Sequence, residues 1–489
     1  MNALVGLLLV IPLGAAALTL LLPQLGVRRS VSLIASSATL IVSLIVLAGV
    51  DDGGSIVVNV GGWTAPIGIA LVADRFAALM LSVSAAALLG VLVFAVGQRD
   101  NDQAFSAFHS VYQTLAAGVV LAFLTGDLFT LFVAFEIMLT ASYVLITHRA
   151  DQKQIRATMT YVVVGLVASG LFLVSIGLLY AATGTVNLAD LSLRLADIDP
   201  SVRTAVGWLL FMVFGIKAAI FPLFFWLPDS YPTAVAPVTA IFAGLLTKVG
   251  VYAIIRTQTL LFPPDEPSTP ILLIAGLTMV IGVLGAIAQG DIKRILSFHI
   301  ISQIGYMIMG LGFFTVAGLA AAIVFIVHQV VVKTVMFLVG GLVETSSGTG
   351  KLKDVTGVLH RFPVIAILFL PAALSLAGLP PFSGFVGKLA LVQAGFEGGR
   401  WLVVAVSLFA SVLTLFSMTK IWSGAFWGKP TDNLTRRPGS TMVMATGGLV
   451  ALSLLIGLAG QPLLEIATRA AGDLLSQESY RAAVLVSGS

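Results

Sequence analysis

Phe214-Gly-Ile-Lys217-Ala-Ala-Ile-Phe-Pro222 sets a lysine and then a proline inside an apolar stretch long enough to cross a bilayer, and Pro228 follows closely. Proline removes an amide donor and frees a carbonyl, so a helix broken at membrane depth persists only where it lines a polar cavity or is packed within protein. The same combination recurs at Leu379-Pro380-Pro381-Phe-Ser-Gly-Phe-Val-Gly-Lys388. Two breaks, each beside a lysine and about five helices apart, point to an inverted repeat with its site at the breaks.

Outward from these breaks the chain is apolar almost throughout. Of its 489 residues 58% are hydrophobic and 10% are charged, a balance that leaves lipid as the solvent. Runs of about 20 residues with few or no charges, the length a helix needs to cross about 30 Å of hydrocarbon, recur from end to end. Strict two-residue alternation is missing, which argues against a β-barrel. The pattern predicts an all-α polytopic membrane protein of about fourteen transmembrane helices, at 3–23, 31–50, 69–97, 106–125, 128–147, 157–182, 203–226, 231–255, 269–289, 295–314, 317–343, 363–396, 401–427 and 439–460. The two inverted five-helix repeats are helices four to eight and nine to thirteen, with the seventh and twelfth broken. The corresponding segments are 1–105 for the first three helices, 106–256 and 257–428 for the repeats, and 429–489 for the last helix and a C-terminal tail. Gly53 to Ile67 reads as an external loop or hairpin, and Val186 to Pro200 as an interfacial segment.

The first apolar run starts at Asn2 with no Lys or Arg before it and extends to Val27, so it reads as a span rather than a cleaved signal. One set of alternate loops holds most of the basic residues, among them Arg28, Arg99, Arg149, Lys153, Lys293 and Arg436. The other set holds little beyond Arg75, Arg194, Arg203, Arg256 and Arg400, and it carries Asp51, Asp52, Asp265 and Glu266. Because Lys and Arg accumulate on the cytoplasmic side, both termini are expected outside. The net charge of +4 is spread over these loops, so nucleic acid is not an expected partner. With no cysteine and no glycine fingerprint after a strand, thiolate metal sites are excluded and no nucleotide site or cofactor is expected. The five histidines lack metal-ligand spacing.

The chemistry therefore lies in charges buried within the spans. Glu136, in Phe132-Val-Ala-Phe-Glu136-Ile-Met-Leu, stands near mid-span, where an ionised carboxylate costs several kcal/mol unless it is paired or hydrated. Lys217 and Lys248 lie on successive helices, the latter in Leu245-Leu-Thr-Lys248-Val-Gly-Val-Tyr. Removal from water disfavours an ammonium against a neutral amine, so a buried lysine can release and recover a proton. Lys388 closes the series at the second break. The alternatives are a static Glu–Lys pair that fixes packing, and lysines that snorkel to an interface. His328 and Lys333 share a helix but stand about 140° apart on a regular α-helix, so a common cavity requires a π-bulge between them. His299 is either a relay at the cytoplasmic end or an interfacial histidine, while His109, His148 and His360 lie near span ends with no assigned role.

Phe135-Glu136-Ile-Met-Leu-Thr-Ala-Ser-Tyr-Val-Leu, the lysine before Pro222, the Leu227-Pro-Asp-Ser-Tyr-Pro turn and Pro380-Pro-Phe-Ser-Gly-Phe resemble the antiporter-like subunits shared by respiratory complex I and Mrp cation/proton antiporters. The resemblance covers nearly the whole chain. The stretch from Asp229 through Pro237 and Lys248 to Ala253, with Val332-Lys333-Thr-Val-Met-Phe-Leu, is most similar to the D-type branch of the Mrp members. The resemblance implies a hydrated mid-membrane axis in which Glu136, Lys217, Lys248 and Lys388 carry or control proton transfer. It implies a proton-translocating subunit of a multi-subunit sodium/proton antiporter in the bacterial plasma membrane, a secondary transporter and not an enzyme, with Glu136 facing the terminal lysine of a neighbouring subunit. The family alternative is a proton-pumping membrane subunit of complex I, and the alternative from another class is a purely structural membrane subunit. One departure is visible: the family leads one to expect a His-His pair where this chain has His328-Gln329.

Overall fold

The computed structural model describes residues 1–98, 105–147, 152–263 and 268–486. Arg99, His148, Arg149, Asp265, Glu266 and the side chain of Lys153 lie outside the described residues. Among the described residues, twelve helices are long and apolar enough to cross a membrane, and two shorter apolar helices accompany them. The first half comprises α1 (Asn2–Leu21), α2 (Leu25–Gly53), α3 (Arg75–Gly97), α4 (Phe108–Leu124), α5 (Leu128–Thr147), α6 (Gln152–Thr183), α7 (Pro200–Ala218) and α8 (Ala236–Leu260). The second comprises α9 (Thr269–Ala288), α10 (Ile292–Phe313), α11 (Val316–Ser347), α12 (Pro363–Ala377), α13 (Ser383–Glu397), α14 (Trp401–Phe426) and α15 (Ser440–Leu458).

The Gly53 to Ile67 region forms a hairpin, β1 (Ile56–Asn59) pairing antiparallel with β2 (Ala70–Ala73) in the register Ile56 to Ala73. The helix expected from residue 69 therefore starts at Arg75, where the Asp74 carboxylate caps the Ala77 amide. Within Val186 to Pro200 a short helix, Leu188–Arg194, buries Leu188 through Ser192. The expected tail is also helical. It forms α16 (Gln461–Leu475), whose Ala467, Ala470, Ala471 and Leu474 are buried, and α17 (Gln477–Val486). Arg469 and Asp473 of α16 pair with Asp51 and Arg75, which ties the C-terminal end to the first three helices.

Both proline breaks lie beside their lysines. Helix α7 stops at Ala218, and Ala219 adopts the left-handed conformation at φ 59°. The chain then turns through Pro222 into the short helix Leu227–Ser230. A break frees carbonyls that must find donors, and the Trp226 indole donates to Ile216 O at 3.0 Å. The second break separates α12 from α13 at Gly378, whose φ of 87° suits glycine. A single buried helix, the 32-residue α11, stands at the centre, and the spans α8 and α10 are buried almost as completely. In lipid, helices enclosed on all sides are the ones that can hold charge away from hydrocarbon.

Candidate functional site

Glu136 projects from α5 and is half-buried. Its carboxylate Oε1 accepts from the Ser169 hydroxyl of α6, and the Ser169 oxygen in turn accepts from the Lys217 ammonium of α7 at 3.1 Å. Glu136 and Lys217 thus meet through a hydroxyl, close enough for the lysine to feel the carboxylate charge. Lys217 also donates to Gly165 O at 3.3 Å and lies 5.6 Å from the Phe135 ring centroid. Gly165 and Ser169 are one helical turn apart, so α6 presents both groups on one face. A cavity of about 30 Å³ beside Lys217, lined by Tyr161, Trp226 and Tyr231, has room for one or two waters. On its other side Glu136 lines a groove of about 430 Å³ between α4 and α5 that opens laterally.

Lys248 is fully buried in α8. Its ammonium is held by the carbonyl of Ala243, which lies in a π-helical turn, Phe242–Leu246. A π-turn shifts the hydrogen-bond register and leaves a carbonyl for a side chain to use. The bulge expected on α11 is therefore on α8. Helix α11 runs unbroken from Val316 to Ser347, and His328 and Lys333 accordingly point in different directions. His328 Nδ1 bonds the Ser383 hydroxyl of α13 at 2.8 Å, and Ser383 bonds Ser375 at 2.8 Å and Ser453 at 3.1 Å. Lys333, wholly buried, lies within Coulombic reach of both Lys248 and Lys388, and its Nζ has no hydrogen-bond partner among the described residues.

Lys388 occupies α13 and donates back across the second break to Leu376 O at 3.2 Å and Ala377 O at 3.0 Å. Its ammonium therefore takes up the negative, carbonyl end of the half-helix α12. It also lies 4.9 Å from the centroid of the Tyr306 ring. His299 is fully buried two turns inside α10 and bonds Ser417 at 2.9 Å. Gln329 of α11 donates to Gln303 of α10 at 3.1 Å.

Of the expected side chains, Glu136 and Lys217 meet through Ser169, while Lys248, Lys388, His299 and His328 form a buried row within Coulombic reach of Lys333. Sequence reasoning does not single out Ser169, Gln303, Ser375, Ser383 or Tyr306, and it marks Gln329 only as a departure from a His-His pair. A lone serine or glutamine in an apolar run is common, and its spacing from the charges is the single available signal. Several polar atoms of this row, at His299 Nδ1, His328 Nε2, Gln303 Nε2, Gln329 Oε1 and Lys333 Nζ, are buried without a partner among the described residues. Each orphan costs about 1–3 kcal/mol unless water meets it, so these atoms mark the places where a buried water would be bound.

A family profile described as NADH:quinone oxidoreductase/Mrp antiporter, TM, matches residues 125–414, which contain all seven of these charged and histidine side chains. The D-type subunit of the Na(+)/H(+) antiporter of Alkalihalophilus pseudofirmus is 42% identical over 99% of this chain and 100% of the relative. That of Bacillus subtilis is 39% identical over the same shares. A chain from the Mrp complex of Dietzia sp. superposes with a TM-score of 0.91 at 33% identity, covering 99% of this chain and 100% of the other. A chain of respiratory complex I from Thermus thermophilus shares the fold, with a TM-score of 0.83 at 22% identity over 96% and 99% of the two chains.

Proposed function

The chain belongs to the family of antiporter membrane subunits shared by Mrp antiporters and NADH:quinone oxidoreductase, and from that premise we propose that it is the proton-translocating D-type subunit of a multi-subunit sodium/proton antiporter. The observation that carries this reading is the carboxylate of Glu136, joined through one hydroxyl to a lysine at a helix break and followed by a buried row of cations. In the proposed arrangement fourteen helices form two inverted five-helix repeats, both termini face outside, and the protein lies in the bacterial plasma membrane.

The relay works by electrostatic coupling. Two unit charges about 5 Å apart interact by about 3 kcal/mol at an effective dielectric of 20, about a hundredfold in a protonation equilibrium. Protonating Glu136 removes the negative charge that favours the Lys217 ammonium. Lys217 then releases its proton toward Lys248, and the change in charge passes through Lys333 and the hydrated His299 and His328 region to Lys388. The carbonyl cradles at Lys248 and Lys388 suit this role because they hold an ammonium without fixing it in an ion pair. The lateral opening at Glu136 suits input from a neighbouring subunit, the partner this reading requires.

The test is antiport in everted vesicles from cells expressing the whole assembly. Glu136→Ala and Lys217→Ala should each abolish sodium-dependent proton movement while the subunits still co-purify. Wild-type transport by either variant would sink the relay, and loss of assembly in Lys248→Ala together with normal transport by whatever assembles would favour a structural subunit.

A further inference from the structure

Away from the polar row, the start of α9 and the start of α14 enclose a groove of about 480 Å³. Its walls are apolar, including Leu272, Leu277, Leu402 and Val406, and Leu273 and Leu402 are strongly exposed along it. On α9 it extends from Thr269 to Val280, three turns or about 16 Å of helix. That is the depth of one leaflet in a hydrocarbon layer about 30 Å thick. At the mouth stands Arg400, the residue before α14, which is part-exposed and has no ion-pair partner among the described residues. Trp401 beside it is 64% exposed, as suits an aromatic ring at the headgroup level.

An apolar trough one leaflet deep, closed at its headgroup end by a cation that no carboxylate pairs, has the shape and charge of a lipid site. We propose that the groove holds an anionic glycerophospholipid, with one acyl chain along Leu272, Gly276 and Val280 and its phosphate accepting from Arg400. The planar guanidinium fork matches phosphate oxygens, and its charge selects a lipid whose headgroup carries no compensating cation. Gly276 keeps the trough open: a Cβ there meets nothing closer than Val406 Cγ1 at 3.8 Å, so a larger side chain would enter the groove and not the protein core.

The test is native mass spectrometry of the full assembly in mild detergent, titrated with phosphatidylglycerol or phosphatidylcholine. The wild type should hold phosphatidylglycerol about tenfold more tightly, the worth of one charged hydrogen bond. Arg400→Gln should erase the preference, and Gly276→Phe should release lipid of both kinds while transport continues. A photoreactive benzoylphenylalanine in place of Leu273 should label lipid, and this arm does not depend on the Gly276 variant folding. Equal retention of the two lipids by the wild type, full phosphatidylglycerol retention in Gly276→Phe, or labelling of a neighbouring subunit from position 273 would overturn the proposal.

Discussion

The Lys217 ammonium donates to the Ser169 hydroxyl at 3.1 Å, so the basic group at the first helix break reaches its carboxylate through a residue that is neither acid nor base. Ser169 passes its own hydrogen to Glu136. Its hydroxyl therefore stands between the two charges, hydrogen-bonded to both.

Ser169→Ala should leave both charges in place and weaken their coupling. A hydrogen bond to a charged group is worth about 1.5–3 kcal/mol, so transport should fall by about tenfold or more, with its pH profile displaced. Ser169→Thr, which keeps the hydroxyl, should restore most of it. An unaltered rate and pH profile in the alanine variant, measured in vesicles, would remove Ser169 from the coupling.

Lys333 gives the opposite expectation for stability and for activity. A buried ammonium without a hydrogen-bond partner among the described residues destabilises the fold, and replacing such a group by an apolar one of similar length is often stabilising. Lys333→Met should raise the melting temperature of the detergent-solubilised assembly and depress proton transfer between the repeats. A lowered melting temperature would mean that Lys333 serves packing.

At the second break the cradle of Lys388 separates charge from shape. Lys388→Met keeps the length of the side chain but strands the Leu376 and Ala377 carbonyls, at about 1–3 kcal/mol for each one that water does not reach. Transport should be lost and stability lowered together. Lys388→Arg, which retains donors for the same carbonyls, should recover the melting temperature but not full transport, because a guanidinium does not give up its proton. Full transport by the arginine variant, followed by a pH-sensitive dye, would exclude proton release at this position.

Close packing at that break should be intolerant of any added atom. A Cβ on Gly384 would lie 1.8 Å from Ser375 O and 3.0 Å from His328 Cε1. Gly384→Ala should reduce the amount of assembled protein by severalfold, since overpacking costs about 1–3 kcal/mol or more. Gly448→Ala, where nothing lies within 4 Å, serves as the control and should leave the yield unchanged.

Glu136, Lys217, Lys248 and Lys388 are legible from sequence because a charge inside an apolar run is costly and rare, and the two breaks are legible because proline cannot continue a helix. The partners of those charges are not. A glutamate suggests a direct lysine partner, whereas a serine intervenes. Lys248 and Lys388 beyond it are held by backbone carbonyls, which every residue carries and no sequence pattern marks. The 140° between His328 and Lys333 leads one to expect a π-turn on α11, but it forms on α8, where Gly244 approaches Thr334 so closely that a Cβ would lie 2.3 Å from its hydroxyl. Helix register at such a contact is settled by packing between elements, which local periodicity does not encode.

The sequence by itself determined that this chain lives in lipid, that it is helical, where two helices break and which side chains carry buried charge. Each of these follows from the cost of moving a given residue out of water or into a helix, a property of the residue and its near neighbours. The tertiary structure alone decided that Glu136 and Lys217 meet through Ser169, that Lys333 comes within Coulombic reach of Lys248 and Lys388, and that the C-terminal segment folds back as helix. Those relations join residues far apart in the chain, and they exist because packed helices bring together side chains and carbonyls whose hydrogen bonds lipid does not supply.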